Sequence, residues 1–355
     1  MLEADLQRLM AARRTPTLRP MLPPVCALVA VTDTNVLARQ ACRLVREVGG
    51  GDGLVTGLAA TGRSNVFVGA HVPGELAERL TVVAASTGVG IADAERALWE
   101  EVMPSVAVVD VAVGDCLSPR AKRVLRDDSI LPRSMRGDPD DVETVAVAEL
   151  LAPAVVLSAD SVFARLGMAS ASVSWVGAAQ SLLRAAGFEA SLADAAFVVE
   201  VAGRLLFLGA GAGARLAARY PLPALAVAAA AVYLAWRYDF LDRDRLRSGI
   251  RRLGDVVEPV AEIFGAAADG WARARQALFV IEPVGSPTTE QLAARHLVRC
   301  GRALTPSELG DELPYAGHRI TAAALKRTMR AHPAFLRLPG DRYVVGRTAV
   351  RPRAA

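Results

Sequence analysis

The run Leu28-Val-Ala-Val-Thr-Asp-Thr-Asn-Val-Leu37 constrains the fold more than any other stretch of the chain. Apolar residues pass without alternation into Asp33, with Thr34 and Asn35 behind it. Unbroken apolar strands are buried on both faces, as in a parallel sheet covered by its crossover helices. Open α/β sheets bind ligands outside the carboxyl ends of their strands, so Asp33 is expected at the mouth of a site. One strand-ending aspartate is weak evidence, because such residues also cap the following helix.

The pattern repeats through residues 23–190, where apolar runs alternate with amphipathic stretches in βαβ fashion. Strands are expected over Val25–Thr32, Asn65–Gly69, Val106–Val113 and Ala154–Leu157. Helices are expected over Asn35–Val48, Pro73–Ala85, Ala92–Met103, Arg120–Arg126, the run Gly137–Leu151 where Asp138 and Pro139 open the helix, and Val173–Ala186. The fold class is therefore α/β, a three-layer domain with a parallel sheet. Residues 1–22 form an N-terminal extension that lacks the long apolar core of a signal peptide. Cys26, Cys42, Cys116 and Cys300 show no CxxC or Cys/His clustering, which argues against a zinc site or a disulfide scaffold and for a reducing, cytoplasmic compartment.

Four acids fall where their elements meet the C-terminal rim of such a sheet. Asp33 and Asp160 end strands, Glu75 lies early in a helix and Asp141 opens one. Converging carboxylates repel unless a cation compensates, and hard oxygen donors select Mg²⁺ or Mn²⁺. Such a metal acidifies a bound water and neutralises phosphate charge, the requirements of phosphodiester hydrolysis.

The order and spacing resemble the PIN-domain nucleases over residues 23–190, about half of the chain. The resemblance rests on Asp33-Thr-Asn35, on Pro73-Gly-Glu75-Leu76, on Asp141 with Ala146 and Ala148, and on Ser158-Ala-Asp160-Ser-Val-Phe163. It implies an endoribonuclease in which Asp33, Glu75, Asp141 and Asp160 bind the metal and position a water that attacks RNA. Asn35 and Ser158 would support them, and Asp138 and Asp140 are neighbours able to share the role of Asp141. His71, near the start of the Glu75 helix, reads as structural. The competing reading is a PIN fold that no longer cuts, acting as a scaffold or as a DNA-binding regulator.

Residues 191–284 read as a helical segment. It contains a very apolar pair, 195–214 and 221–236, the second without any charge and ending in Tyr233 and Trp236. A spanning helix needs about 20 apolar residues. A single membrane span, a two-span hairpin anchored at the inner face of a membrane, and a buried helical hairpin all remain open. The alternating charges that follow suit helices that pack together or self-associate into a homo-oligomer.

Residues 285–348 read as helix, capped helix, turn, basic helix and β-hairpin, followed by a tail, 349–355. This plan resembles the winged helix-turn-helix. From 286 onward the chain holds twelve Lys/Arg against five acids, which suits phosphate contact. The resemblance implies that the basic helix and wing, with Lys326, Arg327, Arg330 and Arg342, recruit RNA, DNA or a protein partner.

Overall fold

The computed structural model describes residues 28–47, 53–113, 118, 122, 141–190, 269–283, 285–313 and 320–349. Strand β1 (Leu28–Thr32) is buried along nearly all its length. Asp33 ends it and N-caps α1 (Thr34–Arg46), accepting the Val36 N–H at 2.8 Å. Next come α2 (Leu54–Ala60), β2 (Ser64–Gly69) and α3 (Val72–Thr87), the last with Pro73 in its first turn. Helix α4 (Ile91–Arg96) runs through a π turn, Ala97–Val102, before β3 (Val106–Val109). Helix α5 (Asp141–Leu151), β4 (Val155–Leu157) and α6 (Ser161–Arg165) complete this part.

The principal sheet has five strands in the order β4-β1-β2-β3-β7, where β7 is Arg347–Thr348. All pairings are parallel except that of β7 with β3. Alternate residues of the strands feed two cores. Val29, Val31, Phe67 and Val156 pack on one face with α5 and α6. Ala30, Val66, Val68 and Leu157 pack on the other with α1, α2, α3 and the π turn. Helices thus cover both faces, as the unbroken apolar strands require.

The C-terminal part consists of α7 (Thr289–Cys300), α8 (Pro306–Glu312), α9 (Ala322–Ala331) and the hairpin β5 (Phe335–Leu338) and β6 (Arg342–Val345). The expected capping box of Thr305 and Glu308 forms, and a second one joins Thr288 to Gln291. The described parts of residues 1–183 and 278–355 make one compact unit and those of 184–277 another. The expected boundary between 23–190 and 285–348 is therefore not a boundary in space: Ala293, Leu297, Leu325 and Tyr343 lie in the same core as Val31 and Leu150. Arg295 and Arg299, expected to add to a phosphate-binding surface, instead donate to the carbonyls that end α5, Glu149 at 3.0 Å and Leu151 at 3.1 Å. Cations at a helix C-terminus satisfy orphan carbonyls and the dipole together.

Other departures are local. The strand expected over 106–113 stops at Val109, because its partner β2 ends at Gly69, the residue paired with Val109. Helix α2 was hidden by the glycines before it. The expected helices 195–214 and 221–236, and most of 239–281, lie outside the described residues, as do Arg120, Asp138 and Asp140. Among the described residues no helix is long and apolar enough to cross a membrane. In the second unit, Glu189 accepts from Trp271 Nε1 at 3.3 Å and pairs with Arg275.

Gly346 links β6 to β7 at a φ of 77°, and an added Cβ would meet the Val108 carbonyl oxygen at 3.0 Å. We expect Gly346→Ala to lower stability by about 1–3 kcal/mol. Urea unfolding of the full chain checks this, and an unchanged midpoint would contradict the edge pairing of β7.

Candidate active site

The strand order reverses at β1: the chain goes from β1 outward to β2 and β3, then returns to place β4 on the other side. Such a switch point opens a crevice at the carboxyl ends of the two strands, here β1 and β4. Their register sets Thr32 beside Leu157, so Asp33 and Ser158 stand one residue beyond each strand. The Ser158 hydroxyl donates a short hydrogen bond to Asp33 Oδ2 and accepts the Asp160 N–H at 2.9 Å. Asn35, the second residue of α1, donates to Asp160 Oδ2 at 3.3 Å. Thr34 Oγ1 donates to Glu75 Oε2 at 2.6 Å, which ties the start of α3 to the start of α1.

Asp33 is only 4% exposed. Burial pushes its carboxyl from the ordinary aspartate value up to about 7. Ser158 and the Val36 N–H oppose that rise, and neighbouring Asp160 adds to it. The donors to it, the Ser158 hydroxyl and the Val36 N–H, are uncharged, and its other hydrogen-bond partner, Asp160, is a second acid, so nothing among them balances ionisation. A buried carboxylate beside a second one, with uncharged supports, lacks positive charge in the way a hard cation corrects.

The donor set fits Mg²⁺ or Mn²⁺. Mg²⁺ retains several waters and needs only one or two protein carboxylates, a number that Asp33 and Asp160 would meet. Among the described residues no three His, Cys, Asp or Glu side chains are grouped closely enough to hold a metal. Glu75 is tied to the start of α1 through Thr34 and does not complete such a group. Asp141 opens α5, which packs on β1 and β2.

Two groups escape a reading of the sequence. Glu143 accepts the Ala70 N–H at 2.6 Å and the His71 N–H at 3.2 Å, and its Oε2 lies 2.9 Å from His71 Nδ1. Burial raises the Glu143 carboxyl, but the imidazole and the Ala70 N–H outweigh it and hold the group below the usual range. This clamp fixes the turn between β2 and α3 that presents Glu75, and it gives His71 its structural role. Gly69 leaves room for it: a Cβ there would lie 2.6 Å from the imidazole. The second is Arg165, on the helix that Asp160 opens, whose guanidinium nitrogens are buried without a hydrogen-bond partner.

On the C-terminal module, Lys326, Arg330 and Arg337 crowd around Asp341, at 2.6, 3.9 and 2.9 Å. Arg327 and Arg342 are exposed. Comparison of the chain with protein-family models, curated proteins and solved structures gives no match.

A carboxyl whose pKa is raised by folding contributes stability below its unfolded value, and loses it as pH rises through the folded value. For Asp33 that window runs from about 4 to about 7. In EDTA, Asp33→Asn is therefore expected to exceed the parent in stability at pH 8 by on the order of 1–4 kcal/mol, with the gap closing towards pH 4. Urea midpoints across pH test this; parallel curves would mean that Asp33 is not destabilised by ionisation.

Proposed function

We propose that the chain is a metal-dependent endoribonuclease of the PIN type, hydrolysing RNA phosphodiester bonds at the crevice between β1 and β4. One observation carries the reading: the register at the switch point sets Asp33 against Ser158 and, through it, Asp160. Asp33 and Asp160 would hold Mg²⁺ or Mn²⁺, and the ion would acidify a water and offset the charge of the phosphodiester. Ser158 orients the Asp33 carboxylate, and Asn35 orients Asp160. Thr34 anchors Glu75 at the rim, where a carboxylate can take up a proton from water. Asp141 is the further ligand implied by the resemblance. The run of α7, α8, basic α9 and hairpin supports a winged-helix reading for the C-terminal module, docked on the sheet domain and recruiting nucleic acid or a partner.

A second reading, a PIN fold that binds without cutting, is favoured by the absence of a three-ligand cluster among the described residues. The two separate in one experiment on the full chain with single-stranded RNA and Mn²⁺. The ribonuclease reading expects cleavage that EDTA abolishes, that Asp33→Asn and Asp160→Asn remove, and that Ser158→Ala lowers by about 10–100-fold. No cleavage, with no Mn²⁺ binding in calorimetry, would leave the scaffold.

A further inference from the structure

Helix α1 carries Arg39, Arg43 and Arg46 and no acid. Together with Asn35 these residues are spaced four, four and three apart, which puts them on one face of the helix. The stripe begins in the crevice, since Asn35 holds Asp160. From there it runs along the helix for about 16 Å at the helical rise. Arg39, Arg43 and Arg46 line a cleft of about 360 Å³ with Cys42, Glu47 and Thr87, the last residue of α3. Helices α1 and α3 pack side by side, so the cleft follows the seam between them. Arg43 is steadied by Glu47 at 2.6 Å. Arg39 and Arg46 have no hydrogen-bond or ion-pair partner among the described residues.

We propose that Arg39, Arg43 and Arg46 form a phosphate track that leads one RNA strand along α1 to the carboxylates at its start. Guanidinium groups pair with phosphate oxygens in bidentate fashion. These three are strung along an axis rather than converging on a point, which fits a polymer of phosphates better than one phosphate ion. The direction of the track rests on the ribonuclease reading. The binding does not.

The test is fluorescence anisotropy of the full chain with an oligouridine strand of about 16 nucleotides, in EDTA and over a range of salt. Each phosphate contact to a single strand adds about 0.7 to the slope of log K against log salt. Substituting all three arginines by Gln is expected to lower the slope by about 2 and weaken binding at low salt. Substituting all three by Lys should restore most of the slope. Circular dichroism and a urea midpoint establish that the variants fold, and Arg39→Gln alone, expected to remove about 0.7 of slope, serves if the triple variant does not.

An unchanged slope and affinity in the Gln variants would overturn the proposal, as would a parent chain that does not bind the strand. Equal competition by oligoglutamate would reassign the surface to an acidic protein. Cleavage by the parent with RNA affinity unmoved by the substitutions sinks the track and leaves the ribonuclease. A slope that falls in a chain that never cuts sinks the ribonuclease and leaves the track.

Discussion

The site depends on β1 being hydrogen-bonded to a parallel neighbour on each side. Ala30, Val31 and Thr32 pair with Val155, Val156 and Leu157, while Leu28 to Val31 pair with Ser64 to Phe67. The junction is tightened by Thr32, whose hydroxyl donates to the Leu157 carbonyl at 3.3 Å, and by the Asp33 N–H, which donates to the same oxygen. A slip of one residue would turn every side chain of β1 to the opposite face. It would also part Asp33 from Ser158. The burial that fixes this register is the burial that makes ionised Asp33 unfavourable, so the same packing builds the site and strains it electrostatically.

Helix α5 is held at both ends by different parts of the chain. Near its start, Glu143 clamps the turn after β2. At its end, Arg295 and Arg299 of α7 occupy the last carbonyls. The C-terminal module is thereby joined to the sheet domain by backbone-directed charge as well as by apolar packing. Residues that read from composition as a nucleic-acid surface partly serve this internal purpose.

Much of the architecture was legible in the sequence because the signals are local. The apolar run into Asp33, Pro73 in the first turn of α3, and Thr305 with Glu308 each specify their own element. Asp33 and Asp160 were legible from their places at strand ends, whereas the expected set of four with Glu75 and Asp141 does not come together as a group of three or more among the described residues. Thr34 and Ser158 sit beside them in the chain, yet it is the pairing of β1 with β4 that brings Ser158 to Asp33 and the packing of α1 on α3 that brings Thr34 to Glu75. Glu143 was hidden, because its partners Ala70 and His71 lie some 70 residues earlier. The docking of residues 285–348 was hidden as well: a buried α7 face and a free-standing amphipathic helix share one periodicity. Strand β7, two residues long, carries no periodic signal at all.

That short strand has a consequence for how the chain is made. Strand β3 would be a sheet edge, with open N–H and C=O groups ready to template pairing with another molecule, unless Arg347 and Thr348 cover it. The covering residues are synthesised more than two hundred positions after the strand they protect. Until those residues are made the nascent sheet carries a bare flank. Its closure waits for Arg347 and Thr348 to leave the ribosome, a long-range contact of the kind that slows folding and invites aggregation until it is made.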